Sequence, residues 1–285
     1  MTKYAVFTMD VEAFSDTECI RSCGTSVDEE LLDGFDRYMG ILDRYGIKCT
    51  MFTVGSLAPK MTDRLHSCLQ RGHRLALHSY DHIAPMKQSP EQFRTQILHA
   101  KQQLSQMFNT RVVGFRAPCF SLDRQRLDIL KDLGFQYDSS HLGFRKARHT
   151  VDLDLGSFRQ VRSNVFCQDH FYEFGLSRQN FMGMSFPISG GGYVRLPLWS
   201  TVKHLIRQHI KENDYYVFYL HPFELSCQPI PTPKNLKPHD QYYLRAGIRS
   251  YPQKVEQIIR MLKDDGYRFV TFEDLAQIID REETQ

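Results

Sequence analysis

Apolar residues recur along this chain in two periods, and the two periods alternate. Leu31, Leu32, Phe35, Tyr38, Met39, Leu42 and Tyr45 fall at three- and four-residue steps, as do Val255, Ile258, Ile259 and Leu262. That spacing predicts helices with one buried face. Several such stretches end in glycine and pass at once into a short β-type run. Gly46 leads into Cys49-Thr50-Met51-Phe52, Gly72 into Leu75-Ala76-Leu77-His78, Gly134 into Phe135-Gln136-Tyr137, and Gly266 into Phe269-Val270-Thr271. A glycine just past a helix accepts the left-handed conformation that closes it, so each phrase reads as a helix end feeding a strand.

Seven strands are predicted, over residues 4–9, 48–54, 74–78, 111–115, 136–138, 215–220 and 268–271. Strands alternating with helices of this length predict an α/β fold with a parallel sheet, open or closed as a barrel. Residues 141–198 break the rhythm with Gly, Ser, Asn and aromatic residues of no clear period. They are predicted to form an insertion of short strands or long loops within one domain spanning 1–285. Residues 228–236, with Pro229, Pro231 and Pro233, read as a loop.

Composition narrows the function classes. With 285 residues, 41% hydrophobic and 24% charged, the chain is ordinary globular material. A net charge of +3 gives no sign of nucleic-acid binding, and no apolar run approaches the length of a transmembrane helix. Residues 1–10 reach Asp10 after too few apolar positions for a signal peptide, and the seven cysteines show no framework spacing. A cytoplasmic protein with reduced thiols is expected. Cys19 and Cys23 could bind metal with a histidine, but no second pair follows at zinc-site spacing.

In parallel α/β sheets the C-terminal strand ends share one rim, where function collects. Here that rim receives Asp10 and Glu12, then His78 and His82, then Arg116, then His221. If a helical turn follows the third strand, the two histidines four apart lean over one face, within reach of a common ion. Asp10 and Glu12 share strand parity. One can complete a two-histidine, one-carboxylate ligand set and the other can serve as a base. Arg116 could hold that base ionised, and His221 is either an acid catalyst or a buried histidine. Tyr193, Arg195 and Glu224 could shape a pocket or pack internally.

Thr8-Met9-Asp10-Val11-Glu12, His78-Ser79-Tyr80-Asp81-His82, Arg116-Ala117-Pro118-Cys119-Phe120 and Leu220-His221-Pro222 together resemble the motifs of the polysaccharide deacetylase superfamily. These are the NodB-homology, carbohydrate esterase family 4-like enzymes. Ser189-Gly190-Gly191-Gly192 through Pro197, and His221-Pro222-Phe223-Glu224, look like a branch associated with exopolysaccharide and surface glycans. The resemblance implies a distorted (β/α) barrel of about seven strands and one divalent metal, most often zinc. By motif position it implies Asp10 as general base, His78 and His82 as metal ligands with Glu12 as the third, and Arg116 orienting Asp10. His221 becomes the general acid and the Cys119 N–H an oxyanion donor. The sequence departs from the family's first motif, where adjacent aspartates are usual, because Val11 separates the two acids. Trp199, the only tryptophan, is the candidate for the family's aromatic wall. The implied reaction is removal of N-acetyl groups from an amino sugar in a glycan, lipid-linked saccharide or sugar nucleotide. The alternatives are hydrolysis of another C–N bond, in a cyclic amide or formamide, and a non-catalytic glycan-binding module.

Overall fold

The four glycines that close the predicted helices all adopt positive φ: Gly46 (+68°), Gly72 (+88°), Gly134 (+74°) and Gly266 (+79°). A Cβ at Gly46 or Gly266 would meet nothing within 4 Å, so backbone conformation and not space selects glycine there. The computed structural model describes residues 2–24, 27, 30–143 and 153–284. Its strands are β1 Tyr4–Val11, β2 Cys49–Thr53, β3 Arg74–Leu77, β4 Gly114–Phe115, β5 Tyr137–Asp138, β6 Arg159–Arg162, β7 Val165–Gln168, β8 Phe171–Phe174, β9 Arg178–Phe181, β10 Met184–Pro187, β11 Tyr215–Phe218 and β12 Arg268–Phe269. All seven predicted strands are present, some of them shorter than expected.

The main sheet runs β11-β1-β2-β3-β4-β5-β8-β7-β6, with β12 beside the first residues of β1. Every pairing from β11 to β8 is parallel, while β7 and β6 return antiparallel. The sheet curls into a half-barrel whose outer strands, β11 and β6, do not pair with each other. Part of the expected insertion, residues 144–152, lies outside the described residues. The rest forms β6–β10 and a short helix, Gly191–Arg195. It is no appendage, because β8 extends the parallel sheet through Tyr137↔Tyr172 and Asp138↔Glu173. Residues 228–236 form a loop, as expected.

Strand parity sorts the side chains. On β1, Ala5, Phe7, Met9 and Val11 join the core shared with the helices, whereas Tyr4 and Val6 join the core inside the curl. The same division places Tyr215, Val217 and Tyr219 inside, and Tyr216, Phe218 and Leu220 outside. Because β-strand side chains alternate, Thr8 and Asp10 continue the inner row of β1. His78 continues that of β3, Arg116 that of β4 and His221 that of β11. The far end of the curl is plugged by Phe272, whose ring packs on Phe174 (4.6 Å), Tyr137 (5.5 Å) and Phe52 (6.0 Å).

Gly190 (φ +122°) bridges Tyr219 in parallel fashion, and a Cβ there would lie 1.9 Å from the Tyr219 carbonyl oxygen. Gly46→Ala is expected to cost about 1 kcal/mol, the strain of an L residue in the left-handed region. Gly190→Ala should cost distinctly more, because backbone must also move. Urea unfolding of both variants checks the order, and equal losses would contradict it.

Candidate active site

The guanidinium of Arg116, at the end of β4, is fully buried. It donates from Nε to the Ser139 carbonyl (3.0 Å), from Nη2 to Ser139 Oγ (2.9 Å), and from Nη1 to Thr8 Oγ1 (2.9 Å) and Asp10 Oδ1 (2.7 Å). The Phe52 ring lies 4.1 Å from its central carbon. A buried cation needs this many acceptors, since an unpaired charge in the interior is prohibitive. One Asp10 oxygen is thereby committed, while Oδ2 faces His221 Nε2 at 4.0 Å.

Past Asp10 the chain bends. The Glu12 N–H donates to the Asp10 carbonyl (3.1 Å), and the buried Glu12 side chain turns in toward the histidines. Its Oε2 lies 2.6 Å from His82 Nε2 and 3.7 Å from His78 Nε2. The expected helical turn between the histidines is absent. Residues 78–84 form an irregular loop in which Ser79 (φ +62°) and His82 (φ +57°) are left-handed, yet the two rings still come within 5.0 Å. The loop is fixed by Ser79 Oγ, which accepts from the His82 N–H (3.0 Å), and by Arg21 Nη1, which donates to the His82 carbonyl (2.7 Å).

His78 Nδ1 lies 2.8 Å from the Arg116 carbonyl oxygen, which can only accept. Nδ1 therefore carries the proton, and Nε2 presents its lone pair toward Glu12. Ligand atoms of Glu12, His78 and His82 all lie within 4.8 Å of one another, the only such group of three among the described residues. Two imidazoles and a carboxylate, buried and convergent, suit a divalent cation. Burial opposes charge on Glu12, but His82, His221 and His78 around it hold its carboxyl well below the usual range. Burial likewise opposes charge on His82, and the Glu12 carboxylate reverses that, raising it.

His221 keeps 17% of its side chain exposed, so solvent reaches it. Its Nδ1 sits 3.1 Å from Glu224 Oε2, leaving Nε2 to face Asp10 Oδ2 and Glu12 Oε1 (3.9 Å). Burial would lower its basicity, but Glu12, Glu224 and Asp10 push it up to about 9. Glu224 is itself held by Arg195, whose Nε donates to Oε1 (2.8 Å), and both side chains are fully buried. Arg195 and Glu224 therefore pack beneath His221 and do not line a pocket. Cys119 (φ +54°) sits in the turn Pro118–Phe120, and its N–H falls where a short helix leaves donors without internal partners. Its thiol, pushed up to about 12 by burial and by Glu18 and Glu12, stays neutral.

The structure thus brings Asp10, Glu12, His78, His82, Arg116 and His221 to one rim, with the Cys119 turn following directly from Arg116. It does not bring Trp199 there. That indole donates to Gln257 (2.9 Å) and packs by Lys254 between helices. Nor do Cys19 and Cys23 form a metal group. Cys23 Sγ donates to the Ile20 carbonyl, and all seven thiols are unpaired.

Sequence reading missed Thr8 and Ser139, although strand parity places Thr8 on the inner row, and it missed a buried acid pair behind Arg116. Asp138 and Glu173, register partners on β5 and β8, both accept from the Ser140 N–H (2.9 and 3.0 Å). Ser140 Oγ in turn donates to Asp138 (2.9 Å) and accepts from the Ala117 N–H (2.9 Å). Glu173 Oε2 finds no donor among the described residues, so a proton held between the two carboxyls is what satisfies them.

The comparisons with known proteins agree with this architecture. The model of the family described as polysaccharide deacetylase matches residues 21–137, and that of a domain of unknown function, DUF3473, matches 147–277. Asp10 and Glu12 precede both matches, and His221 lies in the second. A peptidoglycan deacetylase-like protein of Gibberella zeae is 31% identical over 121 residues, covering 42% of this chain and 36% of that protein. The match therefore spans about a third of that relative's length. Among solved structures, a protein from Mycobacterium smegmatis assigned as a polysaccharide deacetylase has a TM-score of 0.61 at 16% identity, over 99% of this chain and 92% of that one. A family 4 acetyl xylan esterase from Clostridium thermocellum, in complex with a cobalt ion, has 0.53 at 17%, over 97% and 91%. A CE4 family pseudoenzyme from Bacillus anthracis has 0.55 at 13%, over 96% and 66%. At such identities these likenesses speak for the fold.

Burial pushes Asp138 up to about 6, and Glu173 is raised as well by burial and by Asp138. Raised carboxyls bind protons more tightly in the folded state, so their contribution to stability is lost as pH rises from about 4 through about 6 and above. Glu173→Gln should flatten that decline. Denaturation midpoints of wild type and variant at about pH 5 and about pH 8 check it, and a difference independent of pH would contradict the shared proton. Residues 21–137, which that family's model matches, are thus a polysaccharide deacetylase domain, and the rim of motif residues reaches beyond them at both ends.

Proposed function

We propose that the chain is a metal-dependent hydrolase that removes N-acetyl groups from an amino sugar. One observation carries the reading: an arginine-held carboxylate, a three-ligand cluster and a solvent-reachable imidazole face one another across about 4 Å of a single rim. Glu12, His78 and His82 would hold the cation, and their nitrogen and oxygen donors suit zinc. Such an ion, when bound, polarises a carbonyl and acidifies water.

In this proposal Asp10, aimed by Arg116, takes the proton from the attacking water through Oδ2. The water oxygen forms a bond to the acetyl carbon, and the Cys119 N–H donates to the developing oxyanion. His221 then gives its Nε2 proton to the sugar nitrogen as the C–N bond breaks, since an amide anion is too basic to leave at neutral pH. Glu224, anchored by Arg195, acts as a positioning residue that keeps Nε2 turned to the cleft. The products are acetate and a free amine. The seven unpaired thiols support a cytoplasmic setting, and with it a sugar nucleotide or lipid-linked saccharide as substrate.

Metal-loaded protein incubated with N-acetylated sugar nucleotides and glycans should release acetate. Ammonia or formate from other amides would favour a different C–N hydrolase, and bound metal with no product would favour a glycan-binding module. His78→Ala should lose metal and activity together. Asp10→Asn should keep the metal while turnover falls about 10²–10⁴-fold, the usual worth of a general base. Full turnover in that variant refutes the assigned base.

A further inference from the structure

The β9–β10 hairpin presents large apolar side chains to solvent. Met182 is 82% exposed, Met184 59% and Phe181 38%, and Leu198, just before the helix Trp199–Glu212, is 74% exposed. The hairpin lies along that helix. The His209 ring meets the Arg178 carbonyl, Gln179 donates to Glu212 (2.9 Å), and the Phe181 and His204 rings pack edge to face at 6.1 Å. The tip at Met182-Gly183 thus points toward the start of the helix, where Leu198 sits.

Arg207 and Lys211 follow His204 by three and seven residues, which puts them on the same helix face, and both are exposed. Neither they nor the adjacent Lys203 make an ion pair or side-chain hydrogen bond among the described residues. The one acid on this helix, Glu212, accepts from Gln179. An apolar tip beside unpartnered cations is the pattern of a segment lying in a membrane interface, with apolar side chains at the acyl boundary and cations among anionic headgroups. A second copy of the chain fits less well. A symmetric pairing about this face would set cation against cation.

We propose that the β9–β10 tip and the Arg207–Lys211 face of the adjoining helix form a docking surface for an anionic lipid bilayer. The test is co-sedimentation of the full chain with vesicles of phosphatidylcholine containing about a third phosphatidylglycerol, against phosphatidylcholine alone, at low and high salt. Binding should require the anionic lipid and weaken with salt. A double variant, Met182→Ser with Met184→Ser, should bind about tenfold more weakly, because apolar burial drives insertion. Arg207→Gln with Lys211→Gln should lose most of the salt dependence. Both pairs lie at the surface, so unchanged circular dichroism and thermal midpoints show that the fold persists. No binding to the anionic vesicles, equal binding to both vesicle types, or unchanged binding by both variants overturns the proposal. So does light scattering that shows a dimer broken by the methionine substitutions, since a second copy would then occupy the tip.

Discussion

The ion pair between Arg116 and Asp10 sets the order of everything around it. A guanidinium with no solvent access must find its partners in the protein, and here they come from three strands: Thr8 and Asp10 from β1, Ser139 after β5, and the Phe52 ring of β2 beneath. The Arg116 carbonyl takes the His78 Nδ1 proton, so the same residue fixes the tautomer of a prospective metal ligand. Removing one partner of such a pair typically costs about 3–5 kcal/mol, because the other charge is left buried alone. Asp10 and His78 are thus positioned by a single cation, and the curl of the sheet is the means by which residues over a hundred apart reach it.

Much of this was legible because strand alternation is a strict code. Tyr4, Val6, Thr8 and Asp10 share a parity, as do Ala76 and His78, and Tyr215, Val217, Tyr219 and His221. Each row begins apolar inside the curl and ends in a chemical group at the rim. The glycine that closes each helix was legible for a similar reason, since a left-handed residue leaves few choices. The loop between His78 and His82 was not. Four-residue spacing suggests a helical turn, yet Ser79 and His82 are left-handed and the loop is stitched by Ser79 Oγ and Arg21, contacts that no local pattern announces. Glu173 was equally hidden. Its partner Asp138 lies 35 residues away in sequence, and only the pairing of β8 with β5 brings them together.

That pairing changes what the middle of the chain means. Read as sequence, residues 141–198 interrupt a rhythm; in the structure, β8 continues the parallel sheet and its Glu173 closes the hydrogen-bonded group behind Arg116 and Ala117. Farther on, Gly190 lies against Tyr219, two residues before His221, where any side chain would push the strand away. The segment matched by the deacetylase family and the segment matched by the domain of unknown function therefore share one sheet. The first contributes His78, His82 and Arg116 to the rim, and the second contributes His221 with Glu224 and Arg195 packed beneath it.

The spacing of the two acids follows from the same geometry. In an extended strand, adjacent carboxylates point to opposite faces, so a second acid immediately after Asp10 would have to reverse direction to enter the cleft. Placing Val11 between them returns the next acid to the inner face, and the bond from the Glu12 N–H to the Asp10 carbonyl turns the chain inward at that point. Glutamate also has one methylene more than aspartate, and its Oε2 reaches 2.6 Å from His82 while Asp10 stays on Arg116. Val11, pointing outward into the core beneath the helices, anchors the bend from the other side. The departure from adjacent acids is thus a second way of separating one carboxylate for the arginine from another for the histidines.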